Sequence, residues 1–188
     1  MKKSKNWLYG HYGPITCIQI SKEFNIAVSG GEDGSCILWD LNKMCYVRTV
    51  TEYLEKVIAL AISPTLGDIA SLSKSDSISL LRVNTINGSL VGELKSQDQI
   101  TAMCYSSAPE GISINSIVTG HSNGVIKFWC SWDLSPIREL RDDKFTLPIK
   151  CIAFTYDNQQ LYAANSEGII IVWGKGNSRK NISKRPTE

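Results

Sequence analysis

Three side chains in this sequence could in principle form a hydrolytic triad. His11 would be the base, Ser29 the nucleophile and Asp33 the group that orients the imidazole. Their spacing points to another use of the same chemistry. Ser29 lies four residues before Asp33, and Asp33 six before Trp39. The same offsets return in Thr119, Asn123 and Trp129 and, without the hydroxyl, in Ala163, Glu167 and Trp173. Those later units are read as lacking the histidine, so hydrolysis is not what the spacing repeats. A buried indole N–H and imidazole need hydrogen-bond partners, and a carboxylate fixes the imidazole tautomer. The pattern is therefore expected to be a structural tetrad, His11, Ser29, Asp33 and Trp39. Thr119, Asn123 and Trp129 make a partial copy, and Glu167 and Trp173 a weaker one. No catalytic residue is assigned.

Other chemistries find little support. The six cysteines, Cys17, Cys36, Cys45, Cys104, Cys130 and Cys151, include no C-x-x-C pair, whereas a zinc site needs close ligand pairs. Most fall in apolar strand-like runs and are expected to be free, reduced and buried as small hydrophobes. No phosphate loop or paired-carboxylate motif appears, so no metal and no cofactor is expected. With 43% apolar and 20% charged residues the composition is globular. A net charge of +2 gives no bulk field for nucleic acid. Positive charge gathers in Lys175, Arg179, Lys180, Lys184 and Arg185, expected to lie in a solvated tail with at most peripheral membrane contact. The basic start Met1–Asn6 has no apolar segment behind it, and no run approaches the roughly 20 residues that span a bilayer. A cytoplasmic location is expected, so the acceptor patterns at Asn87 and Asn181 are chance matches.

The elements that must position the tetrad repeat along the chain. Trp39 and Trp129 are 90 residues apart, twice 45, and Trp129 and Trp173 are 44 apart. A pattern of apolar residues at i, i+3 and i+5 starts at Ile15, Val57, Ile100 and Ile149, in steps of 42, 43 and 49. Each start predicts a first strand. A second strand, a tight turn such as Glu32-Asp-Gly34 or Ser122-Asn-Gly124, and a third strand follow. Fourth strands are predicted over 45–50, 90–94 and 137–140, and the last unit has none. No sustained helical period appears, so the chain is expected to be all-β.

A period of about 40–45 residues with four strands is the mark of the WD40 blade, a unit that must stack on neighbours to bury its faces. Gly10-His11 and Trp39-Asp40 resemble the dipeptides that open and close such a repeat. Gly120-His121 and Trp132-Asp133 look alike but fall out of register and are set aside. The fold class expected is a four-bladed segment of a WD40 β-propeller, part of a larger ring. The blades run approximately over 7–50, 51–94, 95–140 and 141–174, between a flexible 1–6 and a basic, disordered 175–188. Trp7-Leu8-Tyr9 would be either a strand of an upstream blade or a strand closing the ring. In the second unit Arg82 stands six residues after Asp76, while the repeat pitch expects the tryptophan position near residue 83 or 84, where none is present.

Further stretches resemble the WD repeats of BEACH-domain proteins: Trp39–Thr49, Gly67–Ala70, Ile86–Gly92, Pro109–Asn115, Ser131–Leu134 and Ala164–Ser166, in that order. The resemblance spans Leu8 to Trp173. It implies a piece of a large cytosolic scaffold in which the repeats follow a BEACH domain and a PH-like domain. Such scaffolds act in lysosome and vesicle traffic. The expected function is then non-catalytic protein binding, with partners unidentified and with docking on a BEACH domain of the same polypeptide as the alternative. Propellers bind mostly through turns and loops, which makes Tyr12, Glu32, Asp98 and Ser122 the candidate partner-binding residues.

Overall fold

The computed structural model describes residues 6–106, 115–155 and 157–174. The expected tail at 175–188 and most of the stretch 109–115 lie outside the described residues, as do residues 1–5.

Among the described residues, fifteen strands form four antiparallel sheets, each a meander in sequence order. The first sheet holds β1 (Ile15–Ser21), β2 (Ile26–Gly31), β3 (Ser35–Asp40) and β4 (Cys45–Glu52). The second holds β5 (Val57–Ile62), β6 (Ile69–Lys74), β7 (Ser79–Asn84) and β8 (Leu90–Ser96). The third holds β9 (Ile100–Ser106), β10 (Ser116–His121), β11 (Ile126–Cys130) and β12 (Pro136–Leu140). Among the described residues, the fourth holds β13 (Ile149–Phe154), β14 (Gln160–Asn165) and β15 (Ile170–Gly174). First strands lie beside first strands, β1 against β5, β5 against β9 and β9 against β13, so they line the inner side of the stack.

Both faces of an interior blade are apolar because neighbours cover both. One core cluster joins Val28 and Leu38 of blade 1 to Val57, Leu60 and Ile69 of blade 2. A second joins Leu72, Leu81 and Val83 to Ile100, Ile117 and Trp129. A third joins Val118, Ile126 and Phe128 to Ile149, Ile152 and Leu161. Each inner strand begins with a register shift, at 15/17, 57/59 and 149/151 and, on blade 3, opposite 120/121. A bulge of this kind sharpens the local twist and bends the strand. Gly34, Gly124 and Gly168 take φ of 77°, 79° and 80° in the turns between second and third strands. That left-handed backbone is what the Asp-Gly, Asn-Gly and Glu-Gly sequences supply.

Two expectations need correction, and the register settles the tryptophan position of blade 2. Residues 7–9 form no strand, and among the described residues the last sheet is three-stranded, so Trp7-Leu8-Tyr9 does not close the ring. Arg82 is not at the tryptophan position: it pairs with Ser71, as Ile37 pairs with Ser29, and Asn84 stands where Trp39 does. The β6–β7 ladder runs on to Lys74 and Ser79 before turning, which adds three residues and displaces any count made from the turn. Finally, only Cys36 is fully buried; Cys45 and Cys151 are exposed, and Cys17, Cys104 and Cys130 are half-buried. Alternate strand residues face opposite sides of a sheet, and among the described residues nothing covers the outward side of an end blade.

Candidate functional site

In blade 1 the four tetrad residues arrive from four elements and meet. The chain entering β1 carries His11, β2 carries Ser29, the β2–β3 turn carries Asp33, and β3 carries Trp39. Trp39 Nε1–H donates to Ser29 Oγ at 2.7 Å, and Ser29 Oγ lies 2.7 Å from His11 Nε2. His11 Nδ1 lies 3.1 Å from Asp33 Oδ2. One proton arrangement satisfies every contact: Nδ1–H donates to Asp33, and Nε2 accepts from the Ser29 hydroxyl. The carboxylate also accepts the Ser35 hydroxyl at 2.7 Å and the backbone N–H groups of Tyr12 at 2.8 Å and Ser35 at 3.0 Å. Burial would raise the Asp33 pKa, but these bonds outweigh it and hold the group at about 2. Ser29 is 1% exposed. Removing one member of such a buried chain leaves others unpaired, at a cost of about 1–3 kcal/mol.

The other blades fill the same slot with different groups. Tyr53 stands four residues before Val57, as His11 stands four before Ile15. Its hydroxyl donates to the Ser71 carbonyl at 2.9 Å and lies 2.7 Å from Ser71 Oγ, so a phenol serves where blade 1 has an imidazole. Asn84, in place of the indole, donates to the Gly88 carbonyl at 3.3 Å. In blade 4, Phe145 occupies the histidine position and Ala163 the hydroxyl position; both are buried. Phe145 packs edge-on to Trp173 with centroids 6.0 Å apart, an apolar replacement of the whole relay. Glu167 stays in its turn, where its N–H donates to Asn165 Oδ1 at 3.0 Å.

Blade 3 overturns the dismissal of His121. Trp129 Nε1–H donates to Thr119 Oγ1 at 2.8 Å, and Thr119 Oγ1 lies 3.0 Å from His121 Nε2. His121 pairs with Ile100 in register, as Gly31 pairs with Ile15. A Cβ on Gly31 would meet Asp33 Oδ1 at 2.5 Å and His11 Nδ1 at 2.7 Å. The imidazole of blade 1 therefore enters from the preceding segment over a glycine, whereas that of blade 3 grows from the glycine's own position. His121 is 1% exposed and its Nδ1 has no partner among the described residues. Burial pushes its pKa down to about 4, with Lys127 acting in the same direction. Asn123 does not join the relay through any bond seen here; its Oδ1 accepts the Val125 N–H at 3.2 Å, as Asp33 accepts Ser35. The sequence signal for Tyr53 and Phe145 was their place four residues before an inner strand, and for His121 its place opposite the first inner-strand residue.

The four candidate partner-binding residues lie at one end of the blades, in the β2–β3-type turns and the segments entering each inner strand. One backbone bond repeats there: Glu32 N–H to Pro14 O at 2.8 Å, Ser122 N–H to Gln99 O at 2.9 Å, and Ser166 N–H to Pro148 O at 3.1 Å. Tyr12 is fully exposed at 100%, and Glu32 and Ser122 are exposed as well. Asp98 is exposed but occupied, because Lys127 Nζ lies 2.5 Å from its carboxylate and lowers its pKa. Toward the inner side of this end, Lys56, Lys74 and Lys150 share a cavity of about 420 Å³ with Asp76 and Thr101. Among the described residues there is no cluster of three or more potential metal-ligating side chains.

The family described as "WD domain, G-beta repeat" matches residues 2–40. This is a WD40-repeat chain. Its sheets and repeats are those of a β-propeller, and its relatives include large trafficking proteins. The WD40 chain is 42% identical over 167 residues to the lysosomal-trafficking regulator of Homo sapiens, an alignment covering 88% of this chain and 4% of the relative. With the lysosomal-trafficking regulator of Drosophila melanogaster it shares 33% over 236 residues, 96% of this chain and 7% of that protein. A BEACH domain-containing protein A2 of Arabidopsis thaliana is 25% identical over 65% of this chain and 4% of its own length. The chain thus spans a small part of these relatives. Among solved structures, the computationally designed Ika4 protein superposes with a TM-score of 0.71 at 24% identity, over 92% of this chain and 99% of that one. The designed Ika8 protein gives 0.70 at 25% identity, over 92% of this chain but 49% of that one. WD40 repeats and BEACH-type regulators are typically not enzymes.

Proposed function

We propose that the WD40 chain is a non-catalytic protein-interaction platform within a BEACH-type regulator of lysosome and related vesicle traffic. The observation that carries this reading is the similarity to the human lysosomal-trafficking regulator across most of the chain. Supporting it, the Ser-His-Asp set is consumed by structure, since Ser29 is buried and bonded to two neighbours. A hydrolytic serine needs an open side from which to attack. Partners dock on the turn end, around Tyr12, Glu32, Asp98 and Ser122, beside the basic cavity mouth of Lys56, Lys74 and Lys150. The protein works from the cytoplasm, peripheral to lysosomes or vesicles; no helix among the described residues is long and apolar enough to cross a membrane.

Affinity capture from a lysosome-bearing cell extract, with native chain beside a Tyr12→Ala/Glu32→Ala/Ser122→Ala variant, tests it. Specific proteins are expected on the native chain and lost on the equally folded variant. Capture that is unaffected moves the binding surface elsewhere, and no specific capture at all defeats the platform reading. The second reading, docking on a BEACH domain of the same polypeptide, is favoured by the 4% span of the human relative. Direct binding of this chain to such a domain in a titration would support it.

A further inference from the structure

Three lysines converge on one hollow at the turn end. Lys56, Lys74 and Lys150 line the cavity of about 420 Å³ together with Ser75, Asp76 and Thr101. The register shows that the repeat itself does not ask for lysine there. Lys56 precedes β5, where Pro14, Gln99 and Pro148 precede the inner strands of the other blades. Lys74 follows the partner of Val57, a place held by Glu32 and Ser122 in blades 1 and 3. Lys150 follows Ile149, where the other inner strands have Thr16, Ile58 and Thr101. Among the described residues none of the three lysines forms an ion pair, whereas Lys95 and Lys127 are held by Glu93 and Asp98. The wall of the cavity is fixed. Gln99 Nε2 donates to the Asp76 carbonyl at 2.7 Å and the Ile100 N–H to Ser79 Oγ at 2.9 Å, which ties the long β6–β7 hairpin to blade 3. Blades 2, 3 and 4 build the hollow between them, and it needs nothing from the outward side of either end blade.

Three ammonium groups against the one carboxylate of Asp76 leave the hollow with an excess of two positive charges, as much as the whole chain carries. A concave surface lined by one sign of charge concentrates the field and draws in counter-charge. Lysine brings compact charges rather than the planar fork that matches a carboxylate, and the Ser75 and Thr101 hydroxyls add neutral donors. That set suits a phosphate, whose three oxygens are strong acceptors. The rim of the same end has the opposite character. Exposed Glu32, Glu55, Asp142, Asp143 and Glu167 outnumber Lys144, the unpaired base outside the cavity among the described residues. An anionic bilayer pressed on that end would be repelled by the rim, while a single phosphate on a slender segment reaches the lysines past it. We propose that the cavity binds a phosphorylated serine or threonine in an extended segment of a protein partner. The phosphate sits among Lys56, Lys74 and Lys150, and basic residues on either side of it face the acidic rim. The inference rests on the protein-platform reading and names the chemistry of one partner.

The test titrates the full chain with a labelled synthetic peptide carrying one phosphoserine between pairs of arginines. Its unphosphorylated twin, and a phosphoserine peptide with glutamates for the arginines, are the comparisons. The first should bind at least about tenfold tighter than either, as expected where charged hydrogen bonds are gained, and its affinity should fall as salt rises. A Lys56→Gln/Lys74→Gln/Lys150→Gln variant with native far-UV circular dichroism should lose the preference for phosphate, and Lys144→Gln should keep it. Equal binding of the phosphorylated peptide and its twin to the native chain overturns the proposal, and that comparison needs no variant. A folded triple variant that keeps the preference overturns it too. Phosphatidylcholine vesicles carrying phosphatidylserine and a phosphoinositide should bind more weakly than the peptide; vesicles bound in preference to it overturn the proposal in favour of a lipid headgroup. Affinity capture from extract with and without phosphatase treatment separates this site from the platform. Capture unchanged by phosphatase, together with equal peptide binding, removes the phosphate site and keeps the platform. No capture from either extract defeats the platform, and the peptide titration still decides the cavity.

Discussion

At Ser29 the hydroxyl gives its proton to His11 Nε2 and accepts the indole N–H of Trp39, so residue types that could hydrolyse an ester instead tie four elements together. At His121 the same kind of ring ends a shorter relay, with no carboxylate beyond it, and the difference shows in how the two blades answer acid. The folded pKa of His121, about 4, lies below the usual 6.5, so the unfolded chain binds more protons between those values. Its contribution to stability is complete above about pH 6.5 and is lost as pH falls toward 4. Asp33, held near 2 against 3.8, contributes above pH 3.8 and loses its contribution only below that. Urea midpoints between pH 7 and 4 should therefore fall in the native chain and fall less steeply in His121→Gln. An unchanged slope in the variant would remove His121 as the cause. Ser29, Asp33 and Trp39 were legible in the sequence because their offsets are fixed within one hairpin. His121 was not, because the offsets assume an imidazole entering ahead of the inner strand. That a side chain can reach the same space from the position of Gly31 is a fact of three dimensions.

Blades tolerate this variety because what they need is a filled slot between second and third strands, not a given set of atoms. Tyr53 with Ser71 fills it through a hydroxyl pair, and Phe145 with Ala163 through apolar contact alone. The two solutions should interconvert, but only as pairs. Phe145→Tyr alone buries a hydroxyl with no partner in blade 4, at about 1–3 kcal/mol. Combined with Ala163→Ser it regains the pairing of blade 2, so a double-mutant cycle followed by chemical denaturation should give a favourable coupling of about 0.5–3 kcal/mol. Additive effects would mean that the slot of blade 4 differs in shape from that of blade 2. At this scale the strands were readable from local alternation and turn dipeptides, within a residue or two of their ends. The offset counted from Asp76 stops at Arg82 because the longer β6–β7 hairpin inserts residues between the turn and the third strand, a length that only the ladder register reveals.

The whole molecule behaves as a short one-dimensional stack, in which stability is the sum of blade and interface contributions. Blades 2 and 3 have both faces covered, while blade 1 leaves Ile15, Ile18 and Ile20 bare and blade 4 leaves Ile170 and Val172 bare. Blade 4 is weaker still: among the described residues it has three strands, and β15 has no neighbour on its outer edge. Local opening draws on the least-buried units first. Amide hydrogen exchange at high dilution should then be slowest in β6, β7, β10 and β11, faster in β1, and fastest in β14 and β15. Uniform protection under those conditions would mean that the four blades open as one unit and that the end faces cost nothing.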